Sequence, residues 1–146
     1  MTDQTSAVPT VGNKAIVERF LFAVQNEDFG TAEALLADDV RWQNVGYPTI
    51  SGRRRILKLM RGGQGRVGFE VKFHRIAEEG TAVLTERTDA LIVGPLRFQF
   101  WVCGTFEVHD GRITLWRDYF DSFDFLVKAP LRALIGVAVP SLRPAF

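Results

Sequence analysis

Cysteine occurs once in this 146-residue chain and histidine twice, and both scarcities exclude chemistry. A single cysteine cannot close an intrachain disulfide, so the fold must stand on packing alone. Cys103 lies in the apolar run FWVCGTF, which reads as a strand with a buried, inert thiol. His109 falls in the turn HDGR, and His74 alternates with Glu70 and Lys72 on what reads as a solvent face. Neither has a second ligand at metal-binding spacing, so no metal is expected. There is no charge excess either: 18 Lys and Arg stand against 17 Asp and Glu. A net charge of +1 gives no reason to expect nucleic acid or attraction to a charged membrane. The apolar run LRALIGVAV (131–139) is far short of the roughly 20 residues of a membrane span. MTDQTSAVPTVG at the start has neither the basic nor the apolar region of a secretory signal. The expectation is a cytoplasmic protein without a membrane span. A G-x-S-x-G elbow is missing, and GGQGRVG lacks the Lys-Ser/Thr of a phosphate loop.

What the chain does have is phenylalanine, 12 of them, enough for a thick apolar interior or an apolar cavity. Residues 1–12 read as a flexible tail and 13–146 as a single α+β domain. Ile16, Val17, Phe20, Leu21 and Val24 recur at helical spacing, with Asn13 as the expected N-cap and an end near Asn26. Asp28 or Thr31 can cap a short second helix through TAEALLA, and Ser51 a third through RRILKLM, with DVRWQNVGY between them as a strand. From Arg66 onward four long strands are separated by Glu79-Gly80, Gly94-Pro95 and Asp110-Gly111, an antiparallel meander. The C-terminal stretch FDFLVKAPLRALIGVAV reads as an apolar helix interrupted at Pro130. Helices followed by such a sheet pack on one of its faces, and a strongly curved sheet leaves a pocket between the two.

Three strands carry polar groups where apolar ones are due. In VLTERTDALIV, Arg87 and Asp89 share a face with Val83, Thr85 and Leu91, because strand side chains alternate with period two. Trp42 and Asn44 share a face with Val40, and Asp118 with Trp116 and Phe120. Any one of these, taken singly, is more often an edge charge or a core residue than a site. Arg117, Asp121 and Glu86 read as such surface charges. The coincidence of three strands is what points to function: an unpaired buried charge is too costly to retain, so Arg87, Asp89 and Asp118 are expected to meet. Two carboxylates around one guanidinium favour a state in which one carboxyl holds a proton and the other does not. That places an acid and a base in one apolar pocket.

WQN at 42–44, TERTD at 85–89 and GRITLWRDYFD at 111–121 resemble, in order and spacing, the limonene-1,2-epoxide hydrolase family, over roughly residues 13–125. The resemblance implies the cone-like fold of ketosteroid isomerases and scytalone dehydratases: N-terminal helices on a strongly curved mixed, mainly antiparallel sheet. It implies a homodimer, no cofactor, and a small lipophilic epoxide and water as substrates, giving a vicinal diol. Carried over by residue, Asp89 is the acid that protonates the epoxide oxygen, and Asp118 the base that takes a proton from water. Asn44 helps hold the water and Arg87 bridges the carboxylates. The family's water-holding tyrosine falls at Trp42, whose indole can donate a hydrogen bond but cannot accept one. Phe69, Phe73, Phe98, Phe100 and the C-terminal helix are the expected walls, fitting a terpene, steroid or fatty epoxide equally well. The other readings are an isomerase or dehydratase of the same fold acting on a steroid or polyketide, and a non-catalytic small-molecule binding module.

Overall fold

The computed structural model describes residues 11–146; of the expected N-terminal tail, residues 1–10 lie outside the described residues. Helix α1 (Asn13–Gln25) places Ile16, Val17, Phe20 and Leu21 on its buried face. Its N-cap is Gly12 rather than the expected Asn13. The first-turn N–H groups of Asn13 and Lys14 are instead met by the Glu78 carboxylate, at 3.3 and 3.0 Å, a cap supplied from a distant strand. Helix α2 (Phe29–Ala34) is capped as expected by Asp28, which accepts from Thr31 N at 3.2 Å. Helix α3 (Arg53–Gly62) starts at Gly52 and not at Ser51. Gly52 sits at φ +96°, a conformation that suits glycine, and its backbone O takes the first helical bonds in place of a side-chain cap.

Strands β1 (Leu36–Asn44), β2 (Ile50–Ser51), β3 (Gly68–Glu79), β4 (Ala82–Val93), β5 (Leu96–His109) and β6 (Arg112–Tyr119) form one sheet in the order β2-β1-β6-β5-β4-β3. The last four are the expected meander, and β1 lies parallel to β6 while every other pair is antiparallel. The turn between β5 and β6 is carried by Asp110 at φ +51° and Gly111 at φ +77°, which a two-residue hairpin with matching twist requires. Strand β1 begins three residues before the stretch DVRWQNVGY. The core lies between the helices and one face of the sheet, where Phe20, Leu21, Ile56 and Leu57 meet Val40, Val83, Phe106 and Ile113.

Alternation along β5 buries Val102, Gly104 and Phe106. Cys103 therefore faces outward and is exposed, contrary to the buried thiol that its apolar neighbours suggest. After Asp121, whose carboxylate accepts from Phe123 N and Asp124 N, the chain makes a π-helical turn (Asp124–Lys128) and then helix α4 (Ala129–Ala138). Pro130 sits in the first turn of α4, where its missing N–H has no intrahelical partner to lose. The buried side of α4 is made of Ala129, Ala133 and Gly136, and the helix packs against β5. No helix among the described residues is long and apolar enough to cross a membrane.

Candidate active site

The register of the sheet aligns one row of residues across four strands: Asn44 on β1, Asp118 on β6, Gly104 on β5 and Thr85 on β4. Arg87 and Asp89 follow Thr85 on the same face of β4. Adjacent strands are about 4.8 Å apart, so the span from β4 to β6 is roughly 10 Å, within reach only of a long side chain. Arg87 covers it. Its Nη2 donates to Asp118 Oδ1 at 2.6 Å, its Nε to Asp89 Oδ1 at 2.8 Å, and its Nη1 to Thr85 Oγ1 at 3.0 Å. The three polar residues that break the apolar faces of β4 and β6 thus meet, with a guanidinium at the centre.

The guanidinium passes over Gly104. A Cβ there would lie 2.3 Å from Arg87 Nη1, 2.8 Å from Thr85 Oγ1 and 3.0 Å from Asp118 Oδ1, so the absence of a side chain on β5 is what lets Arg87 cross. Glycine within a strand marks a close approach of this kind. Thr85 completes the cradle, donating to Gly104 O at 3.4 Å while accepting from Arg87. Neither residue stands out from its chemistry in the sequence. The available signals were the interior glycine of β5 and a hydroxyl two positions from the arginine.

Burial sets the electrostatics. Arg87 is 0% exposed, and Asp89 and Asp118 are each 5% exposed. Desolvation raises the Asp89 carboxyl to about 6, the pull of Arg87 offsetting only part of it, and the Asp118 charge adds a smaller push upward. Asp118 is likewise raised by burial, against the opposing attraction and hydrogen bond of Arg87. The Trp116 indole lies close enough to favour the Asp118 carboxylate weakly, although its Nε1 has no partner at hydrogen-bond geometry. Burial works against the charge on Arg87, but Asp118 and Asp89 outweigh it and hold the guanidinium charged. The set can keep one proton on its carboxyls near neutral pH without losing its cation.

Asp89, Asp118, Asn44 and Trp42 all line one cavity of about 1050 Å³. Its wall is otherwise largely apolar, with Phe29, Phe69, Leu91, Phe100, Phe120 and Phe125 prominent. Of the expected wall residues, Phe69 and Phe100 are in place. Phe73 instead packs edge-on against Phe22 at 5.6 Å, and Phe98 is not in the lining. Helix α4 contributes no lining residue either; Phe125, from the π-helical turn before it, does. Trp42 stacks on Trp116 at 4.5 Å, and its Nε1 is buried without a partner. In this conformation other atoms of the indole meet the cavity, and the N–H does not. Arg117, expected on the surface, is half-buried and donates to Gln43 at 2.7 Å. His74 is exposed as expected, stacked on Trp101 and bonded to Thr88.

Comparison with known proteins decides the family, since the model of the limonene-1,2-epoxide hydrolase catalytic domain matches residues 11–132. The chain belongs to the limonene-1,2-epoxide hydrolase family. It is an epoxide hydrolase of that family. It is 65% identical to the epoxide hydrolase EphG of Mycobacterium tuberculosis over 127 residues, covering 87% of this chain and 85% of that one. It superposes on the structure of an M. tuberculosis limonene-1,2-epoxide hydrolase-like enzyme with a TM-score of 0.88 at 61% identity, over 92% of this chain and 95% of that one. A protein of ketosteroid isomerase-like fold from Catenulispora acidiphila matches at a TM-score of 0.68 and 17% identity, over 78% and 91% of the two chains. This likeness concerns the fold alone, and it bears out the cone-like α+β architecture of the limonene-1,2-epoxide hydrolase family expected for this chain.

Proposed function

We propose that this epoxide hydrolase adds water directly to a lipophilic epoxide, without a cofactor, using Asp89, Arg87 and Asp118 as one acid/base set. The observation that carries the reading is two buried carboxylates on separate nitrogens of one buried guanidinium, both facing an apolar cavity. Asp118 is engaged by Arg87 through Oδ1, and among the described residues Oδ2 takes no hydrogen bond. That oxygen is the base. It takes a proton from a water held with the help of Asn44, its neighbour across the β1–β6 pair. The water oxygen bonds to one ring carbon as that carbon's bond to the epoxide oxygen breaks, and Asp89 gives its proton to the departing oxygen. The product is a vicinal diol, with Asp118 left protonated and Asp89 ionised.

Burial supports the division of labour by keeping a proton available on the carboxyl pair. Arg87 prevents the charge that forms on one carboxyl from being opposed only by the other. A single turnover in oxygen-18 water tests the route. Direct addition places the label in the first diol formed. Label that goes first into an aspartate side chain would establish a covalent ester instead, and no turnover of any epoxide would remove the assignment. The reading includes a homodimer, supported by the outer side of α4 and its surroundings, where Trp101 (61% exposed), Leu131, Leu134 and Leu142 stand in solvent. Sedimentation that gives the 16.4 kDa mass of one chain at micromolar concentration would count against it.

A further inference from the structure

The lining of the cavity contains five charged residues, and they fall into two groups. Asp89 and Asp118 are the buried pair already described. Glu27, Arg55 and Lys58 lie at the open side, where Arg55 and Lys58 are exposed and Glu27 is half-buried. The rest of the wall is largely apolar, with Val24, Phe29, Met60, Phe69 and Leu91 among its members.

Helix geometry explains the cationic mouth. Arg55, Lys58, Leu59 and Gly62 recur at intervals of three and four residues and so form one stripe of α3. Ile56 and Leu57 turn the adjoining face into the core and fix that stripe at the cavity rim. The helix carries no acidic residue. Arg53 is paired with Asp38 and Arg61 with Glu33, whereas Arg55 and Lys58 have no ion-pair partner among the described residues. Glu27 is the carboxylate nearest in kind, and its Oε1 accepts from Gly65 N at 3.3 Å. Two free cations against one tethered anion leave the mouth net positive, while the deep end holds two carboxyls and one guanidinium and carries no net positive charge as long as one carboxyl is ionised. An amphiphile with an anionic head enters such a field in one orientation only.

We propose that Arg55 and Lys58 form an anion-binding station at the cavity mouth that takes the carboxylate of a long-chain epoxide, whose apolar chain fills the cavity and whose oxirane reaches Asp89 and Asp118. The inference rests on the epoxide-hydrolase reading of the deep end and narrows it to amphiphilic epoxides of the epoxy-fatty-acid class. A carboxylate fits because a guanidinium presents a forked pair of donors and a neighbouring ammonium adds a mobile charge.

The test compares an epoxy fatty acid with its methyl ester, in the wild type and in R55Q/K58Q, at low and high salt. The wild type is expected to favour the acid over the ester in kcat/KM by roughly tenfold at low salt, the scale of two solvent-exposed ion pairs. That preference is expected to shrink with salt and to fall toward one in R55Q/K58Q, mainly through KM. A wild type with no preference for the acid, or a preference that survives the double substitution, overturns the proposal. Binding of dodecanoate and of methyl dodecanoate, neither of which carries an oxirane, is measured by tryptophan fluorescence in the same two proteins. A dodecanoate preference in Kd that is lost in R55Q/K58Q upholds the station even if no epoxide is hydrolysed, an outcome that would sink the enzymatic reading alone. Equal preference in both proteins overturns the station whatever the turnover.

Discussion

Gly104→Ala adds one methyl group, and the site is built so that this methyl has nowhere to go. The backbone at Gly104 does not lie in the positive-φ region, so alanine is tolerated there conformationally and the effect is purely steric. In a strand interior alanine would ordinarily gain roughly 0.5–1 kcal/mol over glycine. Against that stands a Cβ placed 2.3 Å from Arg87 Nη1, more than 1 Å inside ordinary contact. Arg87 is fully buried, tied to Asp89 through Nε and with the Phe106 ring 5.9 Å from its guanidinium carbon, so it has little room to shift. The guanidinium must therefore move off Asp118 or Thr85. Breaking a buried ion pair costs roughly 3–5 kcal/mol, which in a chain of this size lowers the melting midpoint by roughly 6–20 °C. The assay is a thermal melt beside a turnover measurement. Gly104→Ala should melt early and lose most of its activity, because Asp118 is no longer held. A midpoint within about 2 °C of wild type, together with full turnover, would refute the claim that Arg87 crosses β5 through a gap that only glycine leaves.

Asp89→Asn and Asp118→Asn should each lower kcat by roughly 10²–10⁴, the range of general acid and base steps, and a variant keeping a tenth of wild-type rate would exclude that residue from the chemistry. The acid form of Asp89 is lost as pH rises through about 6, so kcat/KM should decline on that alkaline side; a flat profile from pH 5 to 8 would remove Asp89 as the acid. Because its value in the folded chain is raised from 3.8, the Asp89 contribution to stability is complete below about pH 4 and is lost as pH climbs through about 6. Asp89→Asn should flatten this part of the melting-temperature curve, and an unaltered slope would contradict the assignment. Trp42→Phe removes a buried N–H without a partner, a gain of roughly 1–3 kcal/mol, and gives up packing of similar size. Its stability should stay within about 1 kcal/mol of wild type and its kcat within about threefold; a tenfold loss of rate would show that the indole N–H serves the reaction.

The parts legible from the sequence are those governed by local periodicity. Alternation of side chains was enough to show that Arg87, Asp89 and Asp118 interrupt buried faces, and turn chemistry located the meander. That these residues converge depends on register, which places Asn44, Asp118, Gly104 and Thr85 in one row and is not encoded within any single strand. The resemblance to a family supplied it. The errors have the same origin. Asn13 was expected to cap α1, yet Glu78 caps it from 65 residues away. Ser51 lost its role to Gly52 because a positive φ moved the start of the helix by one position. For Cys103 the parity of β5 was available, since Val102, Gly104 and Phe106 all point inward; the apolar character of its neighbours was the misleading signal. The cations of α3 became part of the cavity only through tertiary packing.

Arg87 reaches Asp89 through Nε and Asp118 through Nη2, two different nitrogens of one guanidinium. A group that stays charged throughout cannot hand a proton across itself. Each addition of water would leave the proton on Asp118 and none on Asp89, the reverse of the starting state, with no direct path between them. On that mechanism recharging would pass through solvent that enters as the diol departs, or through the diol's own hydroxyls before it goes. The enzyme would then have a recovery phase as well as a chemical one, the two tied together by the exit of product. A bulky diol that lingers in the cavity would delay the next cycle twice, by blocking the substrate and by keeping Asp89 without the proton it needs.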